Sequence, residues 1–429
     1  MESVIPFLGM LSMMGIAWAL SNNRRLVPWR VVIAGTLLQI GFAVVILKTQ
    51  LGKTFILWLS DGITALLAVS DRGASFVFGN LVNRNVPVGV PDAAGNLTST
   101  PGSVGEVAQI GAGFAFSVLP TIIFFSSLIT ILYYLGVLQW IVRLFARVMV
   151  KLMGTSGAES LSSAVNVFVG QTEAPLLIRP YVPTLTQSEL MAVMVGGFAN
   201  IAGGVLAAYV KMGVDAGHLI ASSVMSAPAS LVMAKLMFPE REESQTKGEV
   251  KVEVARPWAN VIDAAAAGAT DGVKLALNVG GMLIAFIAMV AMINGGLGYV
   301  GGWFGYEGLN LETILGFLLQ PLAWLMGVPW AEADKVGALL GIKTVVNEFV
   351  GYLRLEEMVG AGQLSERATI IATYAMCGFA NFSSIAIQIG GIGEMAPNRK
   401  ADLARLGLRA MVAGSLATFQ TATIAGFLL

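Results

Sequence analysis

The sequence predicts an all-α polytopic membrane protein with eight transmembrane helices, two re-entrant helical hairpins, interfacial helices and inverted repeats. Three observations predict this. The 429 residues are 56% hydrophobic and 12% charged, with a mean hydropathy of +0.75, whereas soluble domains carry about 25% charged residues. Eight stretches approach the roughly 20 apolar residues a helix needs to cross the hydrocarbon core. Two motifs also recur in the same order in the two halves of the chain.

The first span is 3–21. The apolar run from Val4 to Leu20 has no basic region before it and no A-x-A-like site after it, so it reads as retained rather than cleaved. The others are 30–48, 116–141, 189–210, 217–238, 276–294, 369–390 and 410–429. Basic residues orient them, because short cytoplasmic loops collect Lys and Arg. The clusters are Arg24, Arg25 and Arg30; Arg143, Arg147 and Lys151; Lys235, Arg241, Lys247, Lys251 and Arg256; and Arg399, Lys400, Arg405 and Arg409. Two spans separate each cluster from the next, which places all four in the cytoplasm and both termini outside.

Other segments do not reach full length. Residues 156–170 would rise only about 22 Å as a helix, and Pro175 follows closely. We therefore read 156–184 as a re-entrant hairpin turning at Gln171, Thr172 and Glu173. Residues 329–357 have the same build, turning at Asn347 and Glu348. Irregular backbone at that depth is tolerated only where protein buries it or it lines a wet cavity. Segments 54–80 and 256–272 mix apolar and polar residues and fit interfacial helices. Residues 82–107 read as an outer loop and 240–258 as a solvated, charged cytoplasmic linker.

The repeat sets the architecture. LMGTSGAE (152–159) returns as LMGVPWAE (325–332), and GFAN (197–200) returns as GFAN (378–381). The first hairpin starts from the cytoplasmic side and the second from the outer side, so the repeats are inverted. Inverted repeats with interrupted helices place a solute near the midplane of a transporter.

Polar residues in such a place are functional candidates, because an unpaired carboxylate in the membrane costs several kcal/mol or more. Glu173 and Glu348 accept hydrogen bonds when ionised, and Gln171 and Asn381 each offer a donor and an acceptor. Amides match the edge of a nucleobase, a carboxylate matches paired hydroxyls of a sugar, and Val205 and Phe379 can pack on a flat ring. Asn347 can simply tie down its turn. Asn166, the carbonyls around Val169, and Asn200 supply neutral oxygens suited to a hard cation. One Na⁺ moving down 100 mV yields about 2.3 kcal/mol, enough to concentrate a neutral solute about 50-fold.

Composition excludes other chemistry. Charges balance at 26 basic and 26 acidic residues, so no nucleic acid is expected as partner. The single Cys377 and single His218 read as a packing residue and a polar loop residue. An intramembrane enzyme using Glu173 and Glu348 lacks support, because neither HExxH nor GxSxG occurs, and no catalytic residues are assigned. A channel and a carrier for another polar solute are the remaining rivals. A carboxylate solute would want a basic residue, and only Arg179 is near.

GQTEAP (170–175), VVNEFV (345–350) and CGFANFSSIAI (377–387), with FVFG (76–79) and GWFGY (302–306), resemble the concentrative nucleoside transporters over nearly the whole chain. The QTE turn resembles a bacterial member of the sodium-coupled branch. The resemblance implies a homotrimer in the plasma membrane, the inner membrane of a Gram-negative cell. It would import nucleosides such as uridine with Na⁺, or alternatively H⁺, by an elevator motion, with no organic cofactor. Scaffold and transport domains are implied, the scaffold built mainly from spans one, two, three and six. The corresponding division is 1–141 for the first scaffold part and 142–238 for transport repeat one. Residues 239–310 then hold the linker, interfacial helix and span six, and 311–429 form transport repeat two. The resemblance also implies that Gln171, Thr172, Glu173 and Val205 bind the base, and Glu348, Asn381 and Ser384 the ribose, with Phe379 nearby. Sodium falls on Asn166, the Val169 carbonyl, residue 200 and the Ile201 carbonyl. Here the chain departs from the family, carrying Asn200 where a serine is expected; an amide oxygen can still bind a cation.

Overall fold

A computed structural model describes residues 4–82, 114–248, 258–306 and 308–429, plus four short strands between 85 and 109. The strands pair as Asn85–Pro87 with Val107–Gln109 and Val90–Pro91 with Leu97–Thr98. The rest of the 82–107 loop, and residues 249–257 of the charged linker, lie outside the described residues.

Helices α1 (Val4–Ala19) and α2 (Trp29–Lys48) come first. α3 (Gln50–Phe78) follows a one-residue break at Thr49, whose hydroxyl accepts from the Gly52 N–H at 3.0 Å. A Cβ at Gly52 would collide with the Val45 carbonyl, so this corner needs glycine. After the loop come α4 (Leu119–Tyr134) and α5 (Val137–Met153), separated at Gly136, whose φ of 85° is left-handed. The span expected to run to 141 therefore ends at 134, where glycine turns the chain.

The first repeat continues with α6 (Gly157–Val165), an irregular tip, 3₁₀ turns at Ala174–Ile178 and Val182–Thr184, then α7 (Gln187–Ala199), α8 (Gly203–Lys211) and α9 (Ala216–Met237). α10 (Val261–Trp303) is one continuous helix of 43 residues. This corrects the expectation of a separate interfacial helix at 256–272: no proline separates Val261 from the apolar run, and Gly268 and Gly272 stay helical, so the segment extends span six. The second repeat comprises α11 (Leu311–Leu325), α12 (Trp330–Val345), α13 (Glu348–Gly360), α14 (Glu366–Met376), α15 (Phe382–Met395) and α16 (Lys400–Leu428). α11 is an element the sequence reading lacked, and it meets α12 at 117°.

Among the described residues, seven helices are long and apolar enough to cross a membrane, or eight if that bent pair counts as one span. The set includes α3, which covers the 54–80 segment expected at the interface; length and apolarity alone admit it. It omits the sixteen-residue α1 and the 369–390 region, which is split between α14 and α15.

The repeat motifs have defined structural roles. Each LMG ends a helix with a left-handed glycine, Gly154 at φ 73° and Gly327 at φ 100°, the conformation that stops a helix at least cost. Each AE then sits in the first turn of the next helix, where Glu159 and Glu332 favour the positive end of the dipole. Each GFAN sits at a break, between α7 and α8 and between α14 and α15.

The described residues of the four basic clusters share one face. Arg30 donates to the carbonyls of Lys151 and Leu152 at 2.8 and 3.2 Å, capping α5. Arg241 reaches Asn22 O, and Arg399 reaches Leu185 O. The second LMG lies at the opposite face, where Arg367 donates to Gly327 O (3.0 Å) and Gly426 O (2.6 Å), at the far end of α16 from Lys400. The two copies are thus inverted in space.

Residues 240–248 are largely exposed, as expected of a solvated segment, and are also docked by a few hydrogen bonds. Thr246 O accepts from the Gly157 N–H at 2.8 Å, Glu240 from Thr186 Oγ1 at 2.8 Å, and Glu242 from the Gln187 N–H at 3.1 Å. The first N–H groups of a helix have no partner within it, and this strap supplies acceptors at the starts of α6 and α7. His218, read as a loop residue, lies in the first turn of α9. Cys377 is fully buried.

Candidate functional site

The two breaks cross. α7 ends at Asn200 in extended backbone (φ −127°, ψ 166°), and the Phe379 N–H donates to Asn200 O at 3.3 Å. A Cβ at Gly378 would lie 2.6 Å from Phe198 O, so glycine there permits the approach of two backbones. The broken helices leave terminal groups unpaired at this crossing, and side chains complete them. Asn381 caps α15 by accepting from the Ser384 N–H at 2.9 Å, and Asn347 caps α13 by accepting from the Val350 N–H at 3.0 Å. Asn347 does tie down its turn.

Both hairpin tips reach this crossing. Gln171, Thr172 and Glu173 from the first, Glu348 from the second, Val205 from α8, Phe379 from the break, and Asn381 and Ser384 from α15 all line one cavity. Leu275, Val279 and Met282 of α10 form another wall. The lining includes no Lys or Arg, and Arg179 is exposed away from it.

The two glutamates differ. Glu348 is 3% exposed, accepting from Tyr209 Oη at 2.9 Å and Asn381 Nδ2 at 3.0 Å, in the first turn of α13. Two donors and a helix N-terminus suit a carboxylate. Glu173 is exposed, with its carboxylate folded back over Gly170. Gln171 donates from Nε2 to Ser384 Oγ at 3.2 Å, which joins the first hairpin to α15.

The cation candidates also come together. Asn166 Nδ2 donates to Ser162 O at 3.0 Å and Asn200 Nδ2 to Gly196 O at 3.1 Å. The amide oxygens of both are buried without a partner, as are the hydroxyls of Ser162 and Ser163. A Cβ on Gly196 would lie 3.2 Å from Asn166 Nδ2 and 3.3 Å from Ser163 Oγ, which brings the two asparagines to one place. Among the described residues, no backbone N–H donates to the carbonyls of Val169 or Ile201. Orphaned buried acceptors are costly, and neutral oxygens without a carboxylate fit a hard monovalent cation better than a divalent one. No cluster of three His, Cys, Asp or Glu occurs among the described residues.

Three family models match the chain. "Na+ dependent nucleoside transporter N-terminus" covers 8–81, "Nucleoside recognition" covers 115–216, and "Na+ dependent nucleoside transporter C-terminus" covers 218–426. The Nucleoside permease NupC of Helicobacter pylori is 41% identical over 99% of this chain and 97% of its own. The chain belongs to the concentrative nucleoside transporter family. Sodium/nucleoside cotransporter 1 of Mus musculus is 41% identical over 100% of this chain and 64% of its own. A structure of CNTnw in an inward-facing substrate-bound state matches with a TM-score of 0.89 at 44% identity, covering 100% of this chain and 98% of that one.

The sequence reading of this nucleoside transporter missed three residues at the site. Tyr209 lies four residues after Val205 and Gln388 four after Ser384, so helical periodicity would have placed both on the site-facing side. Lys343 is fully buried, donating to Ala375 O at 2.9 Å and Thr418 Oγ1 at 3.2 Å, beside the Phe419 ring. It holds the end of α14, the second hairpin and α16 together.

Proposed function

We propose that this family member imports nucleosides such as uridine by Na⁺ symport, with an elevator-type alternating-access mechanism. The observation that carries the reading is the meeting of two oppositely entering hairpin tips at one largely apolar cavity with a few convergent polar side chains, beside a nest of orphaned neutral oxygens. Gln171, Thr172 and Glu173 would face the base, with Val205 and Phe379 against its ring. Glu348, Asn381 and Ser384 would take the ribose hydroxyls. Asn166 and Asn200, with the carbonyls of Val169 and Ile201, would hold Na⁺ as the second cargo. Its entry would relieve the unpaired acceptors, and this relief couples the ion to the site.

In this reading the protein is a homotrimer in the plasma membrane, with the basic face in the cytoplasm and both termini outside. α7, α9 and α16 are mostly covered by protein, whereas only 17% of the apolar window of α10 is buried. The two repeats would therefore slide against α4 and α10, whose outer surface is left for lipid and neighbouring subunits. α2 is fastened to the repeat side, because Gln39 donates to Thr421 Oγ1 at 2.8 Å and accepts from Gln420 Nε2 at 3.0 Å. Part of the frame expected from the first two spans would then travel with the moving unit.

The test is uridine uptake into proteoliposomes with imposed Na⁺ or H⁺ gradients, competed by other nucleosides. Accumulation driven by the Na⁺ gradient is expected. Accumulation driven only by H⁺ refutes the choice of ion, and uptake indifferent to both gradients refutes symport.

A further inference from the structure

Gln388 is fully buried on α15, behind the cavity wall. Its Nε2 donates to the Met194 carbonyl at 3.1 Å and to Gln171 Oε1 at 3.0 Å. A backbone carbonyl can only accept, so the Gln388 atom beside it has to be the amide nitrogen. The Gln171 atom that the same nitrogen approaches has to be the amide oxygen. Gln171 is thereby oriented, with its oxygen held inside the protein and its nitrogen directed to Ser384 and the cavity. One N–H goes to Ser384 Oγ, and the second is available to a ligand.

Two further features support a dedicated arrangement. A Cβ on Gly197 would lie 2.8 Å from both Gln171 Cβ and Gln388 Nε2, so glycine in the first GFAN motif lets the two amides pack against α7. The Gln388 Oε1 is itself buried without a partner. A buried amide with an unmade bond is less stable than an apolar side chain of similar size, so packing alone does not account for it.

We propose that Gln388 is a positioning residue: reading the Met194 carbonyl, it makes Gln171 present a donor rather than an acceptor, and so sets the hydrogen-bond polarity of the preferred nucleobase. The inference rests on the nucleoside reading above. Bases with a carbonyl on the edge that Gln171 meets are favoured over bases with an amine there, so uridine is taken over cytidine and inosine over adenosine.

The experiment measures KM and maximal rate for these four nucleosides in proteoliposomes. In Gln388→Met the Gln171 amide is free to turn, and the KM ratio within each pair falls by about tenfold, the factor carried by one net hydrogen bond. Gln171→Glu keeps an acceptor for Gln388 but removes the donor, and reverses the preference. It also serves if Gln388→Met does not fold. In a Gln171→Ala background, Gln388→Met leaves the ratios unchanged. A purely structural role would shift all four KM values together. Ratios equal to wild type in Gln388→Met and Gln171→Glu overturn the proposal while leaving the nucleoside reading intact. Wild-type protein that takes up none of the four refutes that reading, and the inference with it.

Discussion

Replacing Glu348 by Gln isolates the charge at the centre of the cavity. A carboxylate offers about four lone-pair sites. Tyr209 and Asn381 occupy two of them, at 2.9 and 3.0 Å, leaving two for hydroxyls of the solute. The glutamine keeps one oxygen for Asn381 and can turn its amine to the Tyr209 oxygen, so the protein stays folded. What is lost is the charge and one acceptor atom. Exchanging two charge-assisted bonds to the solute, at about 1.5–3 kcal/mol each, for at most one neutral bond of about 1 kcal/mol costs about 2–5 kcal/mol. That corresponds to a roughly 30- to 5,000-fold loss of uridine affinity. Uridine uptake at a fixed Na⁺ gradient, titration calorimetry on purified protein and a thermal melt measure affinity and fold separately. A folded Glu348→Gln protein with uptake and affinity within about threefold of wild type would refute the placement of the ribose at Glu348.

Other perturbations probe the remaining parts. Asn166→Leu removes an orphaned oxygen and should raise half-saturating Na⁺ by more than about tenfold; an unchanged Na⁺ dependence of uptake would remove Asn166 from the ion site. Gly197→Ala forces a Cβ against Gln171 and Gln388 and should destabilise by about 1–3 kcal/mol, whereas Gly390→Ala meets open space and should not; thermal unfolding of the pair decides. Lys235→Met leaves Glu159, 2.7 Å away and 2% exposed, without its cation. The expected loss is about 3–5 kcal/mol, partly recovered by adding Glu159→Gln. With Cys377→Ser as background, a single cysteine at Gly213 should react in intact cells with a membrane-impermeant thiol reagent, and one at Arg241 should not; the opposite pattern would invert the topology.

Much of the fold was legible because the bilayer makes stringent local demands. Apolar length, the spacing of Arg and Lys, and the returning LMG and GFAN motifs are one-dimensional signals of burial, orientation and repetition. They sufficed to place both hairpins and to single out Glu173, Glu348, Gln171 and Asn381. They did not reveal that each GFAN is a break, because a helix interrupted by neighbouring backbone has the same hydropathy as a continuous one. Nor did they show that 261–303 is one rod, since polar residues in its first turns look interfacial whether or not the helix continues.

The sequence by itself determined the span-rich architecture, the inversion of the repeats, and the residue types gathered at the tips. Tertiary structure decided what those residues face. Gln171 has an oriented amide only because Gln388, 217 positions away, is turned by the Met194 carbonyl. Glu348 accepts from Tyr209 only because the fold brings the Tyr209 side chain of α8 to the start of α13, 139 positions away. Hydrogen-bond polarity belongs to pairs of groups brought together by long-range packing, and no local pattern encodes it.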